Sequence, residues 1–239
     1  MRVLAQELRD AVLQAAMQGK LTEQLDTDSS VDELLGEISK EKQKLVEMGE
    51  LREHKETSPV EESDIPFDIP ECWTWVKLPM IAQSSLGKTL NKHNDTGTEK
   101  PYLCSINIYT TGTNLETIKK ALFNSNDIKK YRLKKNDWLI CEGGDTGRAC
   151  IWESDEEMYY QNALHRVRFF CDITPYFYNY VMLLYKFNGL VSKYSKGETI
   201  KHLVQSGLYS MPLPLPPIEE QQRIVERLDA LLPMCDNLM

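Results

Sequence analysis

Two stretches near the start of the chain place apolar residues at helical spacing. The first, residues 3–20, ends at Gly19, which fits a C-terminal cap. Its apolar residues recur at steps of three and four: Leu4, Leu8, Ala11, Val12 and Ala15. The second, residues 31–48, follows Ser30, which has the capping-box spacing to Glu33. Two helices are therefore predicted, and the charged residues after them, 53–64, are typical of a linker.

The pattern changes after Ile65, where short runs rich in β-branched and aromatic residues alternate with turn residues. These runs are residues 102–108, 138–141, 149–152 and 165–170. A stretch of helical length follows at residues 176–194, and its Tyr176, Phe177 and Tyr178 are expected in the core rather than as a platform for stacked bases. Short strands mixed with helices predict an α+β domain and not a regular βαβ array.

Prolines precede the last apolar stripe. Residues 212–217, PLPLPP, hold four prolines in six positions. Because proline restricts the backbone, this segment predicts a rigid joint ahead of a helix, with a plain linker as the alternative. The helix carries apolar residues at i, i+4 and i+7 with two more beside them: Ile224, Leu228, Leu231, Val225 and Leu232. This spacing predicts a seam for another helix, which Pro233 should kink or end.

The charge distribution keeps a nucleic-acid partner open. The net charge of −8 comes from residues 1–64, which hold 8 basic and 16 acidic residues, while residues 65–239 hold 20 of each. Within that neutral part, residues 119–148 hold 8 basic and 4 acidic residues. Residues 185–205 hold four lysines against one glutamate. Local basic faces of this kind favour phosphate contact, although ordinary solvated faces would have the same composition.

The cysteines and the apolar runs bound the cellular setting. The six cysteines are scattered without a CxxC pair, and the four histidines lie far apart. This spacing indicates free thiols in a reducing cytoplasm and argues against a structural metal. No apolar run approaches the roughly 18 residues that span a bilayer. A cytoplasmic protein without a membrane span is predicted.

Catalytic motifs are not recognisable in the sequence. The GGDTG run at residues 143–147 matches neither phosphate-binding glycine pattern and is interpreted as a tight turn between strands. The only Pro-Pro pair, Pro216-Pro217, lacks the flanks of an amino-methyltransferase motif. A nuclease site built from Asp137, Glu142 and the acidic residues 155–157 stays open as the weaker hypothesis.

Several blocks resemble the specificity (S) subunit of Type I restriction–modification systems. Residues 213–232, LPLPPIEEQQRIVERLDALL, resemble the segment that follows each target recognition domain in that family. The family pattern of Pro-Pro, an apolar residue, Glu-Gln and Arg-Ile-Val falls here on Pro216, Pro217, Ile218, Glu220, Gln221, Arg223, Ile224 and Val225. Degenerate similarities at residues 8–25, 34–52, 69–78 and 137–152 extend the resemblance over nearly the whole chain.

The resemblance implies a fold and a division of labour. It implies an α+β fold: a globular target recognition domain with an irregular mixed or antiparallel sheet, flanked by long helices that form an antiparallel, coiled-coil-like arm. The expected parts are a helical region at 1–57, the recognition domain at 58–216 and the start of a spacer helix at 217–239. A full subunit has two recognition domains, so this chain resembles half of one, as a natural half-subunit or a fragment.

The resemblance also implies partners. The chain would be a non-catalytic subunit that reads a half-site of double-stranded DNA and docks methyltransferase (M) subunits and, through the complex, the restriction (R) subunit. It would hold no cofactor, with S-adenosylmethionine, ATP and Mg²⁺ only on the partner subunits. Its helices are expected to bind partners, or a second copy in a homodimer, through Leu4, Leu8, Val12, Ile224, Leu228 and Leu231.

Polar loops are the candidates for DNA contact, because base readout needs donors and acceptors and phosphates need lysine or arginine. The candidate segments are residues 86–100, 105–114 and 194–203, together with one arginine. The candidate residues are Lys88, Asn91, Lys92, His93, Asn107, Tyr109, Thr111, Asn114, Arg148, Ser195, Lys196, Thr199 and Lys201. Two other classes stay open: a nuclease or methyltransferase with a diverged site, and a coiled-coil adaptor that never binds DNA.

Overall fold

The computed structural model describes residues 2–51, 58–91 and 93–237. Within them the helices are α1 (Arg2–Met17), α2 (Val31–Glu47), α3 (Leu78–Ile81), α4 (Ser125–Tyr131), α5 (Pro175–Phe187), α6 (Leu190–Tyr194), α7 (Gln205–Ser210) and α8 (Ile218–Asp236). The strands are β1 (Thr74–Lys77), β2 (Ala82–Leu86), β3 (Thr98–Leu103), β4 (Ile108–Tyr109), β5 (Gly112–Thr113), β6 (Lys119–Phe123), β7 (Asp137–Cys141), β8 (Ala149–Trp152), β9 (Tyr159–Tyr160), β10 (Leu164–Phe169) and β11 (Pro212–Leu215). Residues 53–57 of the predicted linker lie outside the described residues.

Contacts divide the chain into two compact units, which are taken separately below. The first unit holds residues 1–83, 169–187 and 209–239, and the second holds residues 84–168 and 188–208. These units rest on contacts and do not test the three-part division at residues 57 and 216, which stays a prediction. Helices and sheets occur together, so the predicted α+β class is confirmed.

The first unit contains an antiparallel helical arm, as predicted. Near the start of α1, Arg9 pairs with Asp236 at the end of α8. Just after α1, the Thr22 hydroxyl donates to Oε1 of Glu220 in the first turn of α8 at 2.9 Å. The two helices therefore run in opposite directions. Leucines and isoleucine between them are buried, which removes apolar area from water and stabilises the pair: Leu13, Ile224 and Leu228 are each 0% exposed.

The buried face of α1 differs from the predicted stripe. Leu4 is 70% exposed and Leu8 is 45% exposed. The buried positions of this helix are Ala5, Leu13, Ala16 and Met17. Apolar residues occur on two adjacent faces of α1, and local periodicity alone did not decide which face packs inward. The predicted end of the helix is confirmed, because Gly19 has φ +65° and the amide of Lys20 donates to the carbonyl of Ala15 at 2.9 Å.

The proline-rich segment is a buried strand rather than a joint between bodies. β11 pairs antiparallel with β1, with Leu215 opposite Thr74 and Pro212 opposite Lys77, and all four of its residues are buried. A two-stranded sheet tolerates proline because each strand needs ladder donors on one side only. The Tyr185 hydroxyl donates to the carbonyl of Pro212 at 2.7 Å. The predicted stiffness therefore comes from strand pairing and burial inside one unit.

The Glu-Gln pair of the motif closes the start of α8. Glu220 is 0% exposed, and its carboxylate accepts hydrogen bonds from Trp73, Thr22 and Gln24. Gln221 is also 0% exposed, and its Nε2 donates to the carbonyl of Pro216 at 2.9 Å. Buried polar groups are costly unless they are paired, so these contacts fix how the chain enters the helix.

The end of α8 corrects one expectation. The helix runs to Asp236 with Pro233 inside it, so Pro233 does not end it. Proline has a helix-compatible φ and removes one backbone donor, and the amide of Asn237 still donates to the carbonyl of Pro233 at 3.0 Å. Leu231 is half-buried, whereas Leu232 is buried. Ile224 and Leu228 lie in the interior of this unit, which takes them out of the predicted partner-binding set.

The second unit is built around a four-stranded sheet in the order β2–β10–β7–β8. β10 and β8 both pair antiparallel with β7, with Leu164 opposite Cys141 and Ala149 opposite Ile140. Beside it, β3 pairs antiparallel with β6 and parallel with β9, and β4 and β5 form a hairpin. This agrees with the predicted irregular mixed and antiparallel sheet.

The strand predictions fail in one place. The expected strand at residues 102–108 ends at Leu103, and the chain then makes a 3₁₀ turn at Ser105–Asn107. The side chain of Asn107 accepts from the amide of Cys104 at 3.0 Å, and this local bond competes with strand pairing. Among the described residues, no helix has both the length and the apolar character needed to cross a bilayer.

Candidate nucleic-acid interface

The predicted loops leave the four-stranded sheet at one end. Strand β7 ends at Cys141 opposite Leu164, the first residue of β10. The amide of Gly87, just after β2, donates to the carbonyl of that same Leu164 at 3.0 Å. Strand β8 begins at Ala149, opposite Ile140. The segments at residues 87–97, 142–148 and 161–163 therefore all start or finish at this edge.

The glycine-rich turn at residues 142–148, called here the central turn, joins β7 to β8 as predicted. Gly144 and Gly147 have φ +79° and φ +78°, which favour glycine. A Cβ at Gly147 would lie 2.8 Å from Cγ1 of Val191 in α6. The turn is thus held in a left-handed conformation and packed closely against its neighbour.

The loop at residues 195–203 lies beside the central turn. Backbone bonds of 2.8 Å in both directions join Lys196 to His202 and close the loop at its base. The Thr146 hydroxyl donates to the carbonyl of Lys201 at 2.7 Å, and the amide of Leu203 donates to the carbonyl of Glu142 at 2.8 Å. These bonds fix the loop to the turn through its backbone.

The side chains of this loop point to different roles. Lys196, Thr199 and Lys201 are exposed. Ser195 is half-buried, and its hydroxyl donates to the carbonyl of Val191 at 2.7 Å, so it supports the loop. The neighbouring Ile200 is 65% exposed, an apolar residue at the tip that the sequence analysis did not single out.

A β-hairpin lies on the other side of the central turn. Ile108 faces Thr113 and Tyr109 faces Gly112, which leaves Thr110 and Thr111 at the tip. Both threonines and Tyr109 are exposed, with 45% of the tyrosine surface accessible. This hairpin, residues 108–113, presents three hydroxyl groups on a short β-ribbon.

Two predicted residues of this segment have structural roles. Asn107 is 2% exposed and donates through Nδ2 to the carbonyls of Asn114 and Thr117, at 3.0 and 3.1 Å. It closes the base of hairpin 108–113 and is not available to DNA. The Oδ1 atom of Asn114 accepts from the amide of Glu116 at 2.8 Å, which ties this side chain to its own turn. Both are removed from the candidate contacts.

Arg148 connects the central turn to hairpin 108–113. One of its Nη atoms donates to the carbonyl of Ser105 at 2.7 Å, and the other lies 3.4 Å from Oδ2 of Asp145. Its guanidinium carbon lies 5.5 Å from the ring centroid of Tyr109. The side chain is 22% exposed, so its charge faces mostly protein.

The first predicted loop contributes less than expected. Lys88 is 5% exposed, and its Nζ lies 2.6 Å from Asp127 and 3.0 Å from Asp95. Desolvation by burial alone would lower the pKa of Lys88, but these two carboxylates outweigh it and raise the pKa. Lys88 is therefore a buried structural cation and not a phosphate contact. Asn91 and His93 are exposed, and Lys92 lies outside the described residues.

The acidic residues considered for a nuclease are separate and engaged. Asp137 is 1% exposed and accepts two hydrogen bonds of 2.7 Å from Arg168. Burial raises the pKa of Glu142. Hydrogen bonds from Lys100 and Tyr159 lower the pKa of Glu157. Within the described part of the chain, no group of three or more metal-ligating side chains comes together.

The structure thus gathers one group of exposed predicted residues. Contacts through the central turn join hairpin 108–113 to the loop at residues 195–203. The exposed members of this face are Tyr109, Thr111, Lys196, Thr199 and Lys201, with Arg148 between them. Thr146, whose hydroxyl bond was missed, is the link, and the glycine spacing around it was the available signal.

Comparison with known proteins gives a family match. A family model described as the Type I restriction modification DNA specificity domain matches residues 70–239. The specificity subunits of the Type I restriction enzymes EcoAI and EcoEI from Escherichia coli are each 26% identical to this chain over 97% of its length. The chain covers 40% of each of these curated relatives. It therefore spans less than half of their length.

Solved structures show the same fold. The HsdS subunit from Thermoanaerobacter tengcongensis has a TM-score of 0.53 and 18% identity, over 98% of this chain and 52% of that one. A chain from work on complex assembly and conformational transition of the type I R-M system has a TM-score of 0.55 and 18% identity, over 99% of this chain and 51% of that one. These matches confirm the predicted family resemblance and its half-length.

Proposed function

The chain belongs to the Type I restriction modification DNA specificity domain family, and from that premise we propose that its second unit reads a half-site of duplex DNA. The observation that carries this proposal is the joining of hairpin 108–113 and the loop at residues 195–203 through the central turn. Together they form one face, the reading face, at the end of the four-stranded sheet.

The side chains of the reading face suit the two kinds of DNA contact. Lys196 and Lys201 are exposed and would neutralise phosphates, which supply most of the affinity. Tyr109, Thr111 and Thr199 offer hydroxyl groups that donate and accept, as readout of base edges requires. Asn91 and His93 leave the same edge of the sheet and would extend the contact.

We further propose that the helical arm docks methyltransferase subunits. Apolar side chains remain exposed on it: Leu4 at 70%, Leu8 at 45% and Met234 at 63%. Val12 and Leu231 are half-buried beside the packed interior. Exposed apolar residues on paired helices favour a protein partner over solvent. A second copy of the chain is the other occupant, which would pair two like half-sites in a homodimer.

The proposal assigns no chemistry to this chain. S-adenosylmethionine, ATP and Mg²⁺ would be bound by the partner subunits, and the restriction subunit would join through the complex. We expect no turnover of DNA by the isolated chain with Mg²⁺ or S-adenosylmethionine. A cytoplasmic location stays a prediction.

Selection from a random duplex library tests the proposed function. The full chain is incubated with a library of random double-stranded DNA, bound molecules are recovered and sequenced, and the cycle is repeated. We expect enrichment of a short sequence at one or a few fixed spacings. A library that stays random through the cycles would refute DNA recognition and favour the adaptor hypothesis, and cleaved or methylated duplexes would favour the enzyme hypothesis.

A further inference from the structure

We propose that Arg148 is a positioning residue for base readout: it holds hairpin 108–113 in place and does not itself neutralise a DNA phosphate. This inference rests on the proposed function, because it states which element of the reading face makes the base contacts. It separates two roles that the sequence could not distinguish for this arginine.

The contacts of Arg148 leave little of its guanidinium for DNA. The group donates to the Ser105 carbonyl, lies beside the Asp145 carboxylate and covers one face of the Tyr109 ring. An arginine that grips a phosphate presents its N–H groups to the nucleic acid in a fork. Here the fork is turned toward protein, and only 22% of the side chain is exposed. The geometry fits support of a neighbouring element.

The base of hairpin 108–113 is fixed without Arg148. The Asn107 side chain bonds the amide of Cys104 and the carbonyls of Asn114 and Thr117, and it is buried. The loss of Arg148 should therefore leave the base in place. What it removes is the contact nearest the tip, the one with Tyr109, so the effect should appear at the exposed end of the hairpin.

The tip has the properties of a reading element. Tyr109 keeps 45% of its surface exposed while one ring face rests near Arg148, and the two threonines after it are exposed. A two-stranded ribbon fits the major groove of duplex DNA. A tip held at one angle can discriminate bases, whereas a tip that moves forms the same hydrogen bonds less selectively.

Phosphate contact is assigned elsewhere on the reading face. Lys196 and Lys201 are exposed on the loop at residues 195–203, whose backbone is anchored to Thr146 and Glu142. The two roles predict different responses to salt, because each phosphate contact adds about 0.9 to the slope of log affinity against log salt. A positioning residue leaves that slope unchanged.

The test uses the full chain with two duplexes, the sequence enriched from the random library and a scrambled version, across a series of salt concentrations. Arg148→Lys keeps the charge but removes the planar fork that serves Ser105 and Asp145 together. We expect it to lower the ratio of selected to scrambled affinity by roughly tenfold or more, the scale of one base contact, with the salt slope unchanged.

A second variant reaches the same tip without touching Arg148. Gly112 has φ +128°, and a Cβ there would meet nothing within 4 Å, so Gly112→Ala strains the backbone of the tip without a clash. It should reduce discrimination in the same way. Lys120→Ala, on the exposed β6, is the matched control for loss of one positive charge and should keep full discrimination. Thermal unfolding of each variant checks that the fold is retained.

The outcomes separate this inference from the proposed function. If the unchanged chain binds selected and scrambled duplexes equally, the proposed function fails and this inference fails with it. If the unchanged chain discriminates but Arg148→Lys behaves like it, the positioning role is refuted. The same holds if Arg148→Ala weakens both duplexes equally and lowers the salt slope by about 0.9, which would identify a phosphate contact.

Discussion

Arg223 of α8 forms a bidentate ion pair with Asp28, with its two Nη atoms 2.7 and 2.6 Å from the carboxylate oxygens. The same guanidinium donates to the carbonyl of Glu23 at 3.1 Å. Both acceptors lie in the segment between α1 and α2, so the pair attaches that segment to the start of α8. Charge-assisted, two-pronged bonds fix geometry as well as energy, and this one supports the packing of the helical arm.

This ion pair predicts a pH dependence. The hydrogen bonds from Arg223 lower the pKa of Asp28 more than burial raises it. A carboxyl with a depressed folded pKa adds stability above its unfolded pKa, about 3.9, and loses it as pH falls through the folded value. Asp28→Asn should cost roughly 1–3 kcal/mol at pH 7. Urea unfolding at several pH values measures this difference.

The difference between the two proteins should shrink as the pH falls through the folded pKa, because Asp28 then becomes neutral as asparagine is. Other carboxyl groups titrate in both proteins and cancel in the comparison. A difference that stays constant from pH 7 into the acid range would contradict a stabilising Asp28–Arg223 pair.

Trp73 is expected to stabilise the start of α8 through its indole nitrogen. Its Nε1 donates to Oε2 of the buried Glu220 at 2.7 Å. Trp73→Phe leaves that carboxylate short of a donor, so it should cost about 1–3 kcal/mol beyond the loss of packing. Trp75→Phe is the matched control, since Trp75 packs edge-on against Phe67. Equal losses of unfolding free energy in the two variants would argue against the buried bond.

Two glycines of the central turn provide a matched pair of variants. Gly144 and Gly147 have nearly the same φ, +79° and +78°, so alanine is strained by about 1–2 kcal/mol at both. At Gly147 the new Cβ would also lie 2.8 Å from Val191, whereas at Gly144 the nearest atom is 4.0 Å away. Thermal unfolding should rank Gly147→Ala as the more destabilising by about 1–3 kcal/mol. The reverse order would contradict the close packing of the turn.

The exposed stripe of α1 is expected to bind the partner. Leu4→Glu with Leu8→Glu should leave the unfolding temperature nearly unchanged, because both side chains are exposed, and should abolish co-purification with a co-expressed methyltransferase subunit. Leu122→Glu, at a 39% exposed leucine of β6, is the control and should keep the partner. Retention of the partner by the double variant would place docking elsewhere. Sedimentation of the isolated chain tests the homodimer in the same samples.

Local sequence signals predicted the parts of the fold that depend on neighbours along the chain. Gly19 ends α1 and Ser30 caps α2 because capping is decided within a few residues. The run at residues 149–152 became β8 because its alternation and flanking turn are local as well. The family resemblance added the antiparallel pairing of α1 with α8, which no local pattern contains.

Other features depend on partners far away in the sequence. Lys88 was predicted to contact DNA as a loop lysine, yet Asp127, 39 residues later, buries and neutralises it. Asn107 resembled a polar loop residue, but its bonds to Asn114 and Thr117 close a hairpin. The prolines at 212 and 214 predicted a joint, and pairing with β1 made them a strand. Long-range pairing decides such cases, and residue type alone does not.

The salt dependence of DNA binding tests the central claim most directly: that the reading face binds duplex DNA through Lys196 and Lys201. Affinity for the selected duplex is measured over a salt series for the unchanged chain, for Lys196→Ala with Lys201→Ala, and for the control Lys119→Ala with Lys120→Ala. The account predicts that the first pair lowers the slope by about 1.8, at about 0.9 per phosphate, and that the control pair leaves it unchanged. Equal slopes for all three proteins, or a larger loss in the control, would contradict it.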